Sequence, residues 1–141
     1  MIPFDTRICE LLETVMAKEP EQKYLQYLID ASTQLMMQTN SLFQNNIDRW
    51  SDEKSNMYAL RVNKYGSLTI ALASIKNGNP TIGILDDGIR NGLAIYNEIN
   101  SEFTQEWYNS SDERKREILE EILLPHMLFI RFLEKHKKRI S

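Results

Sequence analysis

The amino-acid sequence predicts an all-α protein, an up-down four-helix bundle with an additional short N-terminal helix, five helices in all. Two apolar columns with a seven-residue repeat run side by side through the second predicted helix: Leu28, Leu35 and Leu42, and Ile29, Met36, Phe43 and Trp50. Similar stripes fill most of the remaining chain, and no strand-like alternation competes with them. The breaks between stripes are short, which makes neighbouring helices antiparallel.

Residues typical of helix ends predict where the first three helices begin and end. The first is predicted from about Pro3 to Lys18, because proline suits a first helical turn. The second is predicted from about Glu21 to Arg49, after Pro20. The third is predicted from about Asp52 to Lys76, because Ser51 is a good N-cap and acidic residues in a first turn complement the helix dipole.

The strongest break in the chain is Asn77-Gly78-Asn79-Pro80. It predicts a fourth helix from about Pro80 to Trp107. A second turn at Asn109-Ser110-Ser111 predicts a fifth helix from about Ser111 to Arg139. The four long helices are similar in length, so they can align as one bundle.

Two features depart from this pattern. Three glycines fall within ten residues of the fourth helix, around Asp86-Asp87-Gly88. Either Gly88 and Gly92 permit close helix packing, or the segment is a loop and the helix begins near Ile89. Pro125 lies in the most apolar stretch of the fifth helix and predicts a kink there.

Composition narrows the class of protein. A chain of 141 residues predicts a single domain, residues 1–141. Cys9 is the only cysteine and fits a reducing compartment. No apolar stretch reaches the ~20 residues of a membrane span. A net charge of −3 disfavours nucleic-acid binding. We therefore expect a soluble, cytoplasmic protein without a membrane or nucleic-acid partner.

The spacing of chemically active residues reveals no catalytic constellation. We expect a non-enzymatic protein-interaction module of inhibitor, immunity or regulatory type, with no cofactor and no metal. Glu98, Glu102 and Glu106 share one helix face and lead into Trp107. This acidic ladder predicts a contact with a protein partner that carries a basic surface. A homodimer that forms through the heptad positions of the second helix is also possible.

Two alternatives remain. Arg131 and His136 form Arg-x-x-x-x-His near the end of the last helix, which resembles the active-site motif of the HEPN ribonucleases. The resemblance implies metal-independent cleavage of RNA by these two residues. Phe132 departs from the motif, since the family usually has a polar residue there. The other alternative is a small-molecule pocket between helices, lined by Ser32, Thr39 and His126.

Overall fold

The computed structural model describes residues 1–141 and contains helices but no strands. The helices are α1 (Arg7–Met16), α2 (Glu21–Asn46), α3 (Asp52–Lys76), α4 (Ile82–Tyr108) and α5, in which a π-helical segment (Ile118–Leu123) joins two α-helical parts (Asp112–Glu117 and Leu124–Ile140). The predicted all-α bundle with one short and four long helices is confirmed. None of the helices combines the length and the apolar character needed to cross a membrane.

Consecutive long helices are packed side by side. α2 packs chiefly against α3, α3 against α4, and α4 against α5, while α2 and α5 make fewer contacts. The short helix α1 lies against α5. The segment before α1 is anchored on α4, because the Asn100 side chain accepts from the Ile2 amide (2.8 Å) and donates to the Ile2 carbonyl (3.0 Å).

Side-chain caps fix where α3 and α4 begin. Ser51 Oγ accepts the Lys54 amide at 3.2 Å, as the sequence predicts for an N-cap. Thr81 Oγ1 accepts the Ile84 amide at 3.2 Å, so α4 begins at Ile82. Asp86-Asp87-Gly88 is therefore helical, and the loop alternative does not apply.

Gly88 and Gly92 permit the close approach of α4 to its neighbours. A Cβ atom on Gly88 would lie 2.5 Å from Ala71 Cβ of α3 and 3.0 Å from Leu133 Cδ1 of α5. A Cβ atom on Gly92 would lie 3.1 Å from Ile130 Cγ1. Close packing thus compensates for the low helix propensity of both glycines.

The π-helical segment ends just before Pro125, where the sequence predicts a kink. In a regular α-helix the proline ring would clash with the Glu121 carbonyl, and the missing N–H would break one hydrogen bond. A π-helical turn is wider, since its hydrogen bonds span five residues instead of four. The irregularity thus includes the turn before the proline, and α5 continues beyond it to Ile140.

Candidate functional site

The acidic ladder of α4 faces basic residues of α3. The Arg61 side chain is only 4% exposed and binds both Glu98 (Nε–Oε2, 3.1 Å) and Glu102 (Nη2–Oε1, 2.5 Å). Lys64 Nζ lies 2.6 Å from the other Glu98 oxygen. The Arg61 guanidinium also stacks on the Tyr58 ring at 4.6 Å. Two members of the predicted partner site are thus neutralised within the chain.

The other two members of that site, Glu106 and Trp107, contact the start of α5. Glu106 Oε1 accepts from Arg114 Nε at 2.8 Å. The Trp107 ring packs against the edge of the core and lies under the Lys115 ammonium at 4.8 Å. Trp107 Nε1 is buried without a hydrogen-bond partner. Glu106 and Trp107 thus each contact a cation of the chain itself, although the Glu106 side chain is still 46% exposed.

The residues of the predicted small-molecule pocket are buried and bonded within the protein. Ser32 Oγ lies 2.9 Å from Thr69 Oγ1, and the Thr69 hydroxyl donates to the Tyr65 carbonyl at 2.8 Å. The Thr39 hydroxyl donates to the Leu35 carbonyl of its own helix. None of the predicted pocket residues, Ser32, Thr39 and His126, lines either of the two main concave sites.

His126 forms a buried pair with Tyr65. Its Nδ1 lies 2.7 Å from the Ile122 carbonyl, which can only accept, so Nδ1 carries the proton. Nε2 then accepts from the Tyr65 hydroxyl at 2.6 Å. Burial lowers the pKa of His126 from 6.5 to about 4 and raises the pKa of Tyr65. The pair is neutral at physiological pH and ties α5 to α3.

The most enclosed of the main concave sites lies where α1, the start of α2 and the end of α5 meet, and we call it the α1–α2–α5 cleft. It has a volume of about 510 Å³. Its lining combines apolar and charged side chains: Met16, Ala17, Tyr24 and Phe132, and Glu13, Glu19, Glu21, Arg131, Glu134, Lys135 and Lys138. The rings of Tyr24 and Phe132 meet edge to face at 5.6 Å. The cleft therefore offers an aromatic floor with a charged rim.

Arg131 lines this cleft, His136 contacts the lining residues Glu21 and Phe132 from outside the lining, and both are bound by carboxylates. Arg131 is bidentate to Glu13, with distances of 2.6 Å (Nε–Oε1) and 3.2 Å (Nη2–Oε2). His136 Nε2 lies 2.6 Å from Glu21 Oε1, which Arg139 also contacts at 3.1 Å. The His136 ring packs on Phe132 at 4.6 Å. Burial lowers the pKa of His136, and the Glu21 hydrogen bond opposes that shift.

Two cations of the cleft have no carboxylate partner in the protein. Lys135 and Lys138 line it without an ion pair, whereas Lys137 on the same helix binds Asp86 at 2.7 Å. Glu134 is the one lining carboxylate without an ion pair, because Glu13, Glu19 and Glu21 each have one. No three His, Cys, Asp or Glu side chains are grouped as a metal site would require.

Comparisons with protein-family models, with curated proteins and with solved structures find no match to this chain.

Sequence reasoning missed Arg61, although a signal for it exists. Arg61 lies four residues before Tyr65 and seven before Leu68, so it falls on the apolar stripe of α3. An arginine at such a position requires a partner, and the acidic ladder of the next helix supplies it. The cleft has no comparable signal, because it forms from two segments, residues 13–24 and 131–138, that are more than a hundred residues apart in sequence.

Proposed function

We propose that this protein is a small non-enzymatic interaction module that binds a segment of a partner protein in the α1–α2–α5 cleft. The observation that supports this proposal is the pairing of an aromatic floor with two unpaired lysines. Tyr24 and Phe132 form the floor, and Lys135 and Lys138 stand above it without carboxylate partners. Sites that recognise peptide segments use hydrophobic grooves for apolar side chains and basic clusters for acidic motifs.

The chemistry of the cleft favours an acidic segment that also carries an apolar side chain. The two unpaired lysines outnumber the one unpaired lining carboxylate, Glu134, so the unpaired groups together attract carboxylates. The floor accepts an aromatic or aliphatic group. Such charge complementarity mainly determines specificity and association rate. The acidic ladder is not part of this proposal, since Glu98 and Glu102 already bind Arg61 and Lys64.

Site-specific crosslinking tests the proposal directly. A photo-crosslinking residue at Ala17, an exposed residue of the cleft, should trap one partner protein in cells of the source organism. The double substitution Lys135→Glu/Lys138→Glu should reduce the yield of that product at least tenfold, because it reverses both unpaired charges. Mass spectrometry of the trapped peptide should identify an acidic segment.

The matched control is Arg49→Glu/Arg116→Glu, which makes the same change in net charge at exposed arginines without ion pairs. Arg49 lies in the turn after α2 and Arg116 lies near the start of α5, and neither lines the cleft. We expect this control to crosslink as the wild type does. Equal losses in both double variants would show that only net charge matters and would overturn the proposal.

A second candidate function is the cleavage of RNA at the same cleft. The observation that favours it is the position of the Arg-x-x-x-x-His pair, since Arg131 lines the cleft and His136 packs on Phe132 of its floor. A carboxylate only accepts, so His136 Nε2 donates to Glu21, and the 3.3 Å contact between Arg139 Nη1 and that nitrogen is not a hydrogen bond. In the neutral ring Nδ1 then carries a lone pair. Such an imidazole has the form of a general base.

An RNA-cleavage assay separates the two candidates. The ribonuclease candidate requires cleavage by the wild-type protein that is lost in both Arg131→Ala and His136→Ala. The interaction proposal expects no cleavage above that of a buffer control. Cleavage that both substitutions abolish would establish the second candidate, and cleavage that neither changes would point to a contaminating nuclease.

A further inference from the structure

Charged residues are absent from two neighbouring helical segments. No residue from Ala31 to Ile47 of α2 is charged, and none from Tyr65 to Ile75 of α3. This is unusual in a chain in which 26% of residues are charged. The two segments contact each other, because Ser32 bonds Thr69 and Met36 Sδ lies 3.8 Å from the position of a Cβ on Gly66.

The outward side of these helices carries exposed apolar side chains. A shallow trough follows the outer face of α2 and is lined by Asp30, Thr33, Gln34, Met37, Gln38, Ser41, Leu42 and Asn45. Within it, Met37 is 63% exposed and Leu42 is 50% exposed. On α3, Ile70 is 62% exposed and shares a stripe with Gly66, which borders α2. Asp30, at one end of the trough, is its only charged residue. We call the rest of the trough together with Ile70 the uncharged face.

We infer that the uncharged face is the contact surface of a homodimer, occupied by a second copy of the same chain. The cores of protein interfaces are depleted of charged residues and enriched in methionine and aromatic residues. A second copy presents no unmatched charge to this face, whereas a strongly charged partner would find nothing to pair with. This inference is independent of the cleft, because the two sites share no residue and the cleft uses only the first turn of α2.

The trough on α2 is suited to antiparallel pairing about a two-fold axis. Its positions are symmetric about the Met37–Gln38 peptide, so the two copies would align as Asp30 with Asn45, Thr33 with Leu42, Gln34 with Ser41, and Met37 with Gln38. A two-fold interface places each residue opposite its counterpart in this way. The single charge, Asp30, meets an amide that can donate to it. No like charges are opposed.

The size of the face predicts a weak dimer. At 1.5 Å per residue the trough is about 24 Å long, and two helices side by side are about 20 Å wide. A standard interface takes about 800 Å² per partner, roughly a tenth of a small protein's surface. At these dimensions the face covers about 480 Å², which is less than the about 600 Å² per partner at the lower end of stable interfaces. We therefore expect an equilibrium in the micromolar range.

Sedimentation velocity over a concentration series tests the inference. The wild-type chain should pass from monomer to dimer, and Met37→Glu should raise the dissociation constant at least tenfold, because it places two like charges beside the axis. Leu11→Glu is the control, since Leu11 on α1 is 69% exposed but lies outside the face. It should dimerise as the wild type does, and circular dichroism should show all variants folded.

Charge complementation provides a second measurement. Met37→Glu and Met37→Lys should each be monomeric alone, and an equimolar mixture should dimerise because the opposite charges meet at the axis. A wild-type chain that stays monomeric at 500 µM would overturn the inference. So would a dimer that Met37→Glu leaves unchanged, or one that Leu11→Glu weakens equally.

Discussion

Gly83 and Gly88 differ in their surroundings, although both belong to α4. Nothing lies within 4 Å of a Cβ on Gly83, whereas a Cβ on Gly88 would meet Ala71 Cβ at 2.5 Å. We predict that Gly83→Ala raises the free energy of unfolding by about 0.5 kcal/mol, because alanine loses less backbone entropy. Gly88→Ala should lower it by about 1–3 kcal/mol through overpacking. Urea denaturation measures both. Equal effects of the two substitutions would contradict the packing described for α4.

Arg61 and Arg114 each bind two carboxylates, but only Arg61 is buried. Its side chain is 4% exposed, against 39% for Arg114. Removing the arginine leaves the carboxylates of Glu98 and Glu102 without their buried partner. Arg61→Met should therefore lower the free energy of unfolding by about 2–4 kcal/mol. Arg114→Met should leave stability nearly unchanged, because solvent screens exposed ion pairs. Thermal denaturation of both variants checks this. Similar melting temperatures would show that the Arg61 network does not hold α3 to α4.

At the scale of single residues, the sequence predicts helix starts better than side-chain partners. Ser51 caps α3 as expected, since an N-cap bond is local. Glu98 and Glu102 were correctly placed on one helix face, but their partner Arg61 lies about forty residues away. A periodic pattern predicts which face of a helix a residue occupies. Its contact partner, however, depends on how two helices pack against each other.

At the scale of helices, the π-helical segment of α5 behaves as a one-residue insertion. Its hydrogen bonds span five residues, so deleting one exposed residue there should restore a regular α-helix without rotating either flank. We predict that deletion of Glu120, an exposed residue of this segment, combined with Pro125→Ala leaves the protein folded, because in a regular α-helix the Pro125 ring would otherwise clash with the carbonyl four residues before it. The readout is the cooperativity and midpoint of urea unfolding.

The matched control is the deletion of Asn97, an exposed residue in the regular helix α4. A deletion there rotates the following residues by about 100° and removes Ile99 and Phe103 from the packed face. This variant should lose several kcal/mol or fail to fold. If both deletions proved equally damaging, the π-helical segment would not be an accommodated insertion.

The helices themselves were predictable because their signals are periodic and local. The stripes of α2 and α3 and the break before Pro80 placed these elements within a few residues of their observed ends. The irregular turn of α5 was only partly predictable. Pro125 signals a disturbance, but whether a helix bends or widens depends on what its second half packs against. Here Ile130 and Leu133 are packed against Gly92 and Gly88.

At the scale of the whole molecule, surfaces are assembled from distant segments. The α1–α2–α5 cleft combines Glu13 with Arg131, more than a hundred residues apart in sequence. A periodic sequence pattern does not predict such a long-range contact. The uncharged face has a sequence signature, since the run from Ala31 to Ile47 is visible in the chain. The sequence alone does not show that Met37 and Ile70 point outward, because that orientation depends on how the helices pack.

Stability of the whole fold should depend on pH through His126. Its pKa falls from 6.5 to about 4 on folding, because burial disfavours the charged imidazolium and the Arg61 charge adds to this effect. Between these values the unfolded chain binds more protons than the folded one, so stability is highest above pH 6.5 and is lost as the pH falls. A shift of this size predicts a loss of about 2 kcal/mol between pH 7 and pH 5.

Urea unfolding at pH 7, 6 and 5 measures this loss, and this window lies above the ordinary pKa of the carboxylates. His126→Gln keeps a hydrogen-bonding amide near Tyr65 but removes the titration, so its stability should be nearly constant over the window. His136→Gln is the control, because His136 is less buried and its Glu21 partner favours protonation; this variant should retain most of the loss. A wild-type stability that stays flat from pH 7 to pH 5 would mean that protonation of His126 is accommodated, and that the Tyr65–His126 pair does not hold α5 to α3 as a neutral bond.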